Sequence, residues 1–200
     1  CSLGSLPPPS STLFFSWAVS VGYKGRGQRE PRTGARPMGL REIRLWPDPV
    51  LRQVCAPVGE DVSALIADMF DTMYDAPGRG LAGPQVGVMQ RVFVMDVTWK
   101  DGDRSPVACI NPEILSRGDE MAVNEDACLS IPGVAARVER PAALLLRWFD
   151  ADWQEHEADL TGFHAVCAQH EYDHLDGRVI FDRVPMAARR SLETDYRALI

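Results

Sequence analysis

The sequence predicts an α+β domain in which antiparallel strands pack around a central helix and a further helix closes the chain. Three observations carry that expectation. One amphipathic helical pattern stands near position 70, strand-like runs succeed it through the middle of the chain, and a second helical segment with paired histidines comes only after them. Strands gathered ahead of the helix they cover indicate an α+β arrangement rather than alternating β-α units.

Residues 1–37 differ in character from the rest of the chain. They hold Pro7-Pro8-Pro9-Ser10-Ser11, an apolar patch from Leu13 to Val21, and a Gly/Arg-rich stretch, and the first methionine is Met38. The expected reading is a disordered extension upstream of a start at Met38, with a transit peptide or an artefact as the other readings. No basic residue precedes the apolar patch, which disfavours a secretory signal. Residues 38–200 are expected to form one domain, with enough chain to bury a core.

Within that domain, Asp61 to Asp75 predicts a helix. Val62, Leu65, Ile66, Met69, Phe70, Met73 and Tyr74 fall on one face at i, i+3, i+4 and i+7, and Pro77-Gly78 ends the pattern. Residues 91–97 predict a strand, followed by a turn at Lys100-Asp101-Gly102-Asp103, and shorter strands are expected at 107–110 and 121–123. Residues 138–149 and 155–163 predict a hairpin around Asp150-Ala151-Asp152. A helix is expected from about Ala165 to Asp176 with Gly177 as its cap, and another from about Met186 to Leu199.

Composition narrows the function classes. The chain carries a formal charge of −7, yet residues 1–37 hold five basic groups (Lys24, Arg26, Arg29, Arg32, Arg36) against Glu30, a net of +4 that leaves −11 on residues 38–200. An acidic body repels phosphate backbones, so direct DNA binding is not expected. No apolar run approaches the roughly 20 residues that span a bilayer. The five cysteines (Cys1, Cys55, Cys109, Cys128, Cys167) are odd in number and irregularly spaced. Reduced thiols and a cytoplasmic location are therefore expected, or an organelle if residues 1–37 are a transit peptide.

The chemistry concentrates in Gln169-His170-Glu171-Tyr172-Asp173-His174. Residues four apart share a helix face, so His170 and His174 can reach one ion while Glu171 reaches a water beside it. That HExxH arrangement points to metal-assisted hydrolysis. A third protein ligand is needed. Cys167 lies on the same face, but seven residues of helix separate it from His174, a rise of about 10.5 Å. It reads better as a small apolar residue. Glu193 on the last helix would give a glutamate-ligand peptidase, although Arg189 and Arg190 beside it suit a solvated face with intrahelical ion pairs equally well. Cys128 is the best candidate by chemistry, since a thiolate binds zinc-type ions well, although its composition suits a buried, inert cysteine equally. Arg140 can pair with Asp126 or Glu125, Asp173 reads as an ion-pair partner, and His156 and His164 read as surface or core residues.

Three segments, in order, resemble the signature motifs of the peptide deformylase family. Gly78-Arg79-Gly80-Leu81-Ala82-Gly83-Pro84-Gln85 is similar to the first. Residues 125–130, with Asp126-Ala127-Cys128-Leu129-Ser130, are similar to the second (EGCLS), and residues 169–174 to the third (QHExDH). The run Trp46-Pro47-Asp48-Pro49-Val50-Leu51-Arg52 resembles the family's opening, so the resemblance covers about 38–185. It implies one divalent ion, Fe2+ or Zn2+, held by Cys128, His170 and His174. It implies Glu171 as general base, with the Gln85 amide and the Leu129 N–H as donors to the oxyanion. Gly78, Gly80, Leu81 and Ala127 become substrate-binding, and the substrates become N-formylmethionyl peptides. Separately, Arg189, Arg190 and Arg197 on the last helix suggest a transient ribosome contact, although Glu193 and Asp195 dilute that charge. The alternatives are the Glu193 peptidase and a metal-binding relative without turnover.

This chain departs from the motifs at Ala127, where glycine is usual, at Gly83, where alanine is usual, and more mildly at Asp126. An L-residue forced to positive φ at 127 would cost on the order of 1–2 kcal/mol. A methyl group that only lines the groove would instead narrow the substrate range.

Overall fold

Along residues 143–149 buried and half-buried side chains alternate, and that period of two decides where the sheet lies. In the computed structural model, which describes residues 39–199, β6 (Ala143–Phe149) turns Leu144, Leu146 and Trp148 into the core. It belongs to a five-stranded antiparallel sheet with β1 (Gly80–Ala82), β2 (Val92–Met95), β3 (Val107–Arg117) and β7 (Glu155–Thr161), in the order β1-β2-β3-β6-β7. β4 (Met121–Cys128) and β5 (Ile131–Pro141) form a separate two-stranded sheet.

Three helices complete the α+β fold: α1 (Ser63–Asp75), α2 (Gly162–Leu175) and α3 (Met186–Arg197). The stripe read from the sequence of α1 is the face it buries, with Leu65, Ile66, Met69 and Met73 inside. That face packs with Leu81, Val92, Val94 and Ile110 of the sheet. α2 lies against the other side of the core, its Ala165, Ala168 and Leu175 among Phe93, Leu146 and Trp148. α3 closes on β5 through Tyr196, whose ring packs with Trp46 and Phe181 and whose hydroxyl donates to the Trp46 carbonyl at 3.0 Å.

Several expectations are corrected. Residues 138–149 are not one strand, because the chain changes sheets at Pro141-Ala142: β5 pairs with β4, and only β6 pairs with β7. β3 runs on to Arg117 through register shifts beyond Ile110. β4 reaches Cys128 instead of stopping at 123. β1, inside the Gly-rich motif, and the first half of β5 are strands that the sequence pattern does not predict. α2 starts at Gly162, three residues early, and ends before a left-handed Gly177 at φ 69°. The expectation of disorder for residues 1–37 lies outside the described residues. Among those residues, no helix is long and apolar enough to cross a membrane.

Candidate metal centre

Strand alternation builds one half of the site. In β4, Asp126 and Cys128 are buried while Ala127 between them is exposed. A register shift between Ala127 and Cys128 re-aims the strand end just where the thiol is needed. The other half comes from α2, which carries His170 and His174 one turn apart, both buried.

The three side chains converge. Nε2 of His174 is 3.3 Å from Cys128 Sγ and 3.2 Å from Nε2 of His170, and all three ligand atoms lie within 4.8 Å of one another. A tetrahedral ion with bonds of about 2.0–2.3 Å separates its ligands by roughly 3.3–3.6 Å. One thiolate and two imidazoles at that spacing fit a single zinc-type divalent ion. Glu193 stands elsewhere, tied to Arg189 at 2.7 Å on α3. Cys167 is outside the set too. It is half-buried, packed against the core and lining the cleft, with Sγ 3.5 Å from the Arg79 carbonyl.

A charged layer supports the ligands. His170 gives Nδ1–H to Asp126 Oδ1 at 2.7 Å, which leaves Nε2 as its ligand atom. Arg140, 4% exposed, holds Asp126 Oδ2 through Nε and an η-nitrogen and reaches Asp173 with the other at 2.8 Å. Asp173 also takes an ion pair from Arg183. Asp126 is therefore the carboxylate that orients a ligand, and its motif position was the available signal. Arg183 had no sequence signal at all.

Electrostatics follow from burial against these partners. Burial raises the Asp126 carboxyl, but His170 and Arg140 outweigh it and bring it down to about 2. Burial also raises the Cys128 thiol, and the charges and hydrogen bonds of His174 and His170 reverse this, bringing it down to about 5. Glu171 goes the other way: burial lifts its carboxyl to about 7 despite the two histidines. Two buried polar atoms here have no hydrogen-bond partner among the described residues, Glu171 Oε2 and His174 Nδ1.

The centre opens into a cleft of about 380 Å3 walled by Gly78, Gly80, Gln85, Ala127, Leu129 and Glu171 among others. Gln85 is 1% exposed, and its orientation is fixed: Oε1 accepts from the Ala82 N–H at 2.9 Å, so Nε2 faces Ser130 Oγ at 3.1 Å and Cys128 Sγ at 3.6 Å. Leu129 sits at the turn between β4 and β5. A side chain at Gly80 would displace the base, because a Cβ there would stand 2.3 Å from Glu171 Oε1. Leu81 requires a correction: its side chain points into the core under α1, on the opposite strand face from Gly80, and does not line the cleft.

The departures also gain a physical reading. Ala127 is absent from the residues with positive φ, so its backbone is unstrained and only its methyl group matters, in the cleft wall. At Gly83 the chain folds back so closely that a Cβ would meet the carbonyls of Val88 and Gln90 at 2.8 Å each. Glycine there permits a tighter loop.

Comparison with known proteins agrees along most of the chain. The family model for polypeptide deformylase matches residues 40–190. A peptide deformylase of Novosphingobium aromaticivorans is 44% identical over 174 residues, covering 76% of this chain and 93% of that protein. One of Afipia carboxidovorans is 49% identical over 148 residues, 72% of this chain and 86% of its own. Among solved structures, a peptide deformylase from Legionella pneumophila superposes with a TM-score of 0.74 at 35% identity, covering 80% of this chain and 95% of that one.

Proposed function

This chain belongs to the peptide deformylase family, as a metal-dependent hydrolase with deformylase activity, and on that premise we propose how its own residues remove the N-formyl group from formylmethionyl peptides. Cys128, His170 and His174 would hold one divalent ion, ferrous iron or zinc, both of which suit a thiolate and two imidazoles. Bound there, the ion would supply Lewis acidity that brings the pKa of water towards about 7.

Glu171 takes the proton from the attacking water and delivers it to the departing amine. Its Oε2 is buried beside the site with no hydrogen-bond partner among the described residues, so it is available to accept a proton and return it. Gln85 Nε2 and the Leu129 N–H donate to the oxygen on which negative charge grows. Ala82 already fixes the Gln85 amide, so Nε2 has only to redirect an N–H now facing Ser130 Oγ or Cys128 Sγ. Asp126 keeps His170 in the tautomer that offers Nε2. Gly78, Gly80 and Ala127 shape the wall beside the substrate backbone. Residues 38–200 act as the single catalytic domain, and the free cysteines suit a reducing compartment such as the cytoplasm. A transient ribosome contact through α3 would rest on Arg190 and Arg197, since Arg189 is engaged by Asp182 and Glu193.

The observation that carries this reading is the convergence of three ligand atoms beside an unpartnered Glu171 oxygen. Metal-loaded protein incubated with formyl-Met-Ala-Ser should release formate. Bound metal without formate release would leave a deformylase-like binding protein instead.

A further inference from the structure

We propose that a second, polar cavity on the far side of α2 binds an oxyanion of the phosphate class. α2 has two working faces. His170, Glu171 and His174 turn towards the metal cleft, while Gln169, Tyr172, Asp173 and Asp176 fall at i, i+3, i+4 and i+7 on the other side. Those four form one wall of a separate cavity of about 270 Å3.

The cavity's charges are not balanced internally. Four guanidiniums, of Arg117, Arg140, Arg178 and Arg183, face three carboxylates, of Glu139, Asp173 and Asp176. Two of these carboxylates are already engaged: Asp173 by Arg140 and Arg183, and Asp176 by Arg91 at 2.9 Å. Arg140, although 4% exposed, spends only three of its five N–H groups, two on Asp126 and one on Asp173. The side chains of Arg117 and Arg178 have no hydrogen-bond or ion-pair partner among the described residues. Buried donors without acceptors are unfavourable, and the two free N–H groups of Arg140 therefore favour a ligand that accepts.

Shape selects the ligand class. Arg117, Arg140 and Arg178 come from the end of β3, from β5 and from the segment after α2, so they approach from separate directions. Three such donors suit a tetrahedral oxyanion better than a planar carboxylate, and guanidinium forks are well matched to phosphate oxygens. At about 30 Å3 per water, the cavity has room for roughly nine waters. A five-atom phosphate leaves space for a small ester group, so the source is either free orthophosphate or a small phosphate monoester. No step of the deformylase reading is needed for this inference.

The test is calorimetric titration of metal-loaded protein with orthophosphate and, separately, with glycerol 3-phosphate, repeated on an Arg117→Gln, Arg178→Gln double variant. Both positions are exposed and outside the metal cleft. The variant should keep the wild-type unfolding midpoint and formate release while binding weakens at least about tenfold. Tighter binding of the ester would identify a monoester as the natural source, and equal or weaker binding would identify the free ion. Equal affinity in variant and wild type would overturn the proposal by locating the anion elsewhere, on the metal included. So would the lack of saturable binding by either probe up to about 10 mM, a free energy of roughly −2.7 kcal/mol.

Discussion

Replacing Gly80 with alanine tests whether the position of Glu171, and not only its identity, sets the rate. The new Cβ would stand 2.3 Å from Glu171 Oε1, 2.8 Å from the carboxyl carbon and 2.9 Å from Cys167 Sγ. Ordinary contact begins at 3.4 Å, so with β1 in place the carboxylate must retreat from 2.3 to 3.4 Å, about 1.1 Å. The strand is the stiffer partner, since Gly80, Leu81 and Ala82 are all paired with β2. A misplacement of about 1 Å can cost on the order of 10²-fold in rate. The ligand atoms come from β4 and α2, so metal content should not change.

The assay is steady-state formate release together with elemental analysis of the same sample. The expected result is a kcat about 100-fold below wild type, a KM that moves much less, and one metal per chain. Cys167→Ala separates the two clashes: alone it should leave the rate near wild type, and combined with Gly80→Ala it should not restore it. A Gly80→Ala enzyme within about threefold of wild type, metal retained, would refute the reasoning, because the base would then work from a displaced position. Loss of metal in step with rate would move the defect from base to ligands.

Cys128→Ala should bring bound metal from about one per chain to near zero, whereas Glu193→Ala should leave it unchanged; the reverse pattern would restore the glutamate-ligand alternative. Asp126→Asn should weaken metal affinity by about 10–100-fold in a competition with a chromogenic chelator, and unaltered affinity would remove Asp126 from the site. Asp182→Asn tests a pH window. Burial raises the Asp182 carboxyl, but Arg52, the Val179 N–H and Arg189 more than compensate and hold it below the usual range. Its stabilisation is then full above the unfolded value of about 3.9 and disappears as pH falls through the lower folded value. The carboxylate is partly exposed and screened, so the loss at pH 7 should be about 1 kcal/mol, or roughly 2–4 °C in unfolding midpoint. The gap from wild type should narrow below about pH 4, and a gap that persists there would point to packing instead.

Local pattern made part of this molecule legible. α1 could be read because its whole contribution is one apolar stripe, and the ligand set because HExxH and the cysteine motif are short and local. The sheet boundaries were harder. At Pro141-Ala142 the chain leaves one sheet for another, and a lone proline inside an apolar run does not announce that. The network from Asp126 through Arg140 to Asp173 and Arg183 joins residues from β4, β5, α2 and the turn after it. Ion pairs between distant segments have no period to detect. Ala127 was within reach: with β4 extended past 123, inward Asp126 and Cys128 force residue 127 outward, where the usual glycine is not needed for backbone reasons.

What distinguishes α2 is that it buries more polar side chains than apolar ones. Alongside Ala165, Ala168 and Leu175 it buries Gln169, His170, Glu171, Asp173 and His174. A helix like that would be a poor core element unless each polar group were satisfied. Most are: Gln169 donates to the carbonyls of Pro141 and Ala165, His170 to Asp126, and Asp173 accepts from two arginines. The two exceptions, Glu171 Oε2 and His174 Nδ1, belong to the base and to a ligand. The histidines are therefore unequal. His170 is held from behind by a buried carboxylate, while the polar contacts of the His174 ring among the described residues are with Cys128 and His170. Removing the ion should loosen His174 first, and chelation should broaden its imidazole NMR signals more than those of His170. Equal broadening would mean that Asp126 does not anchor the site.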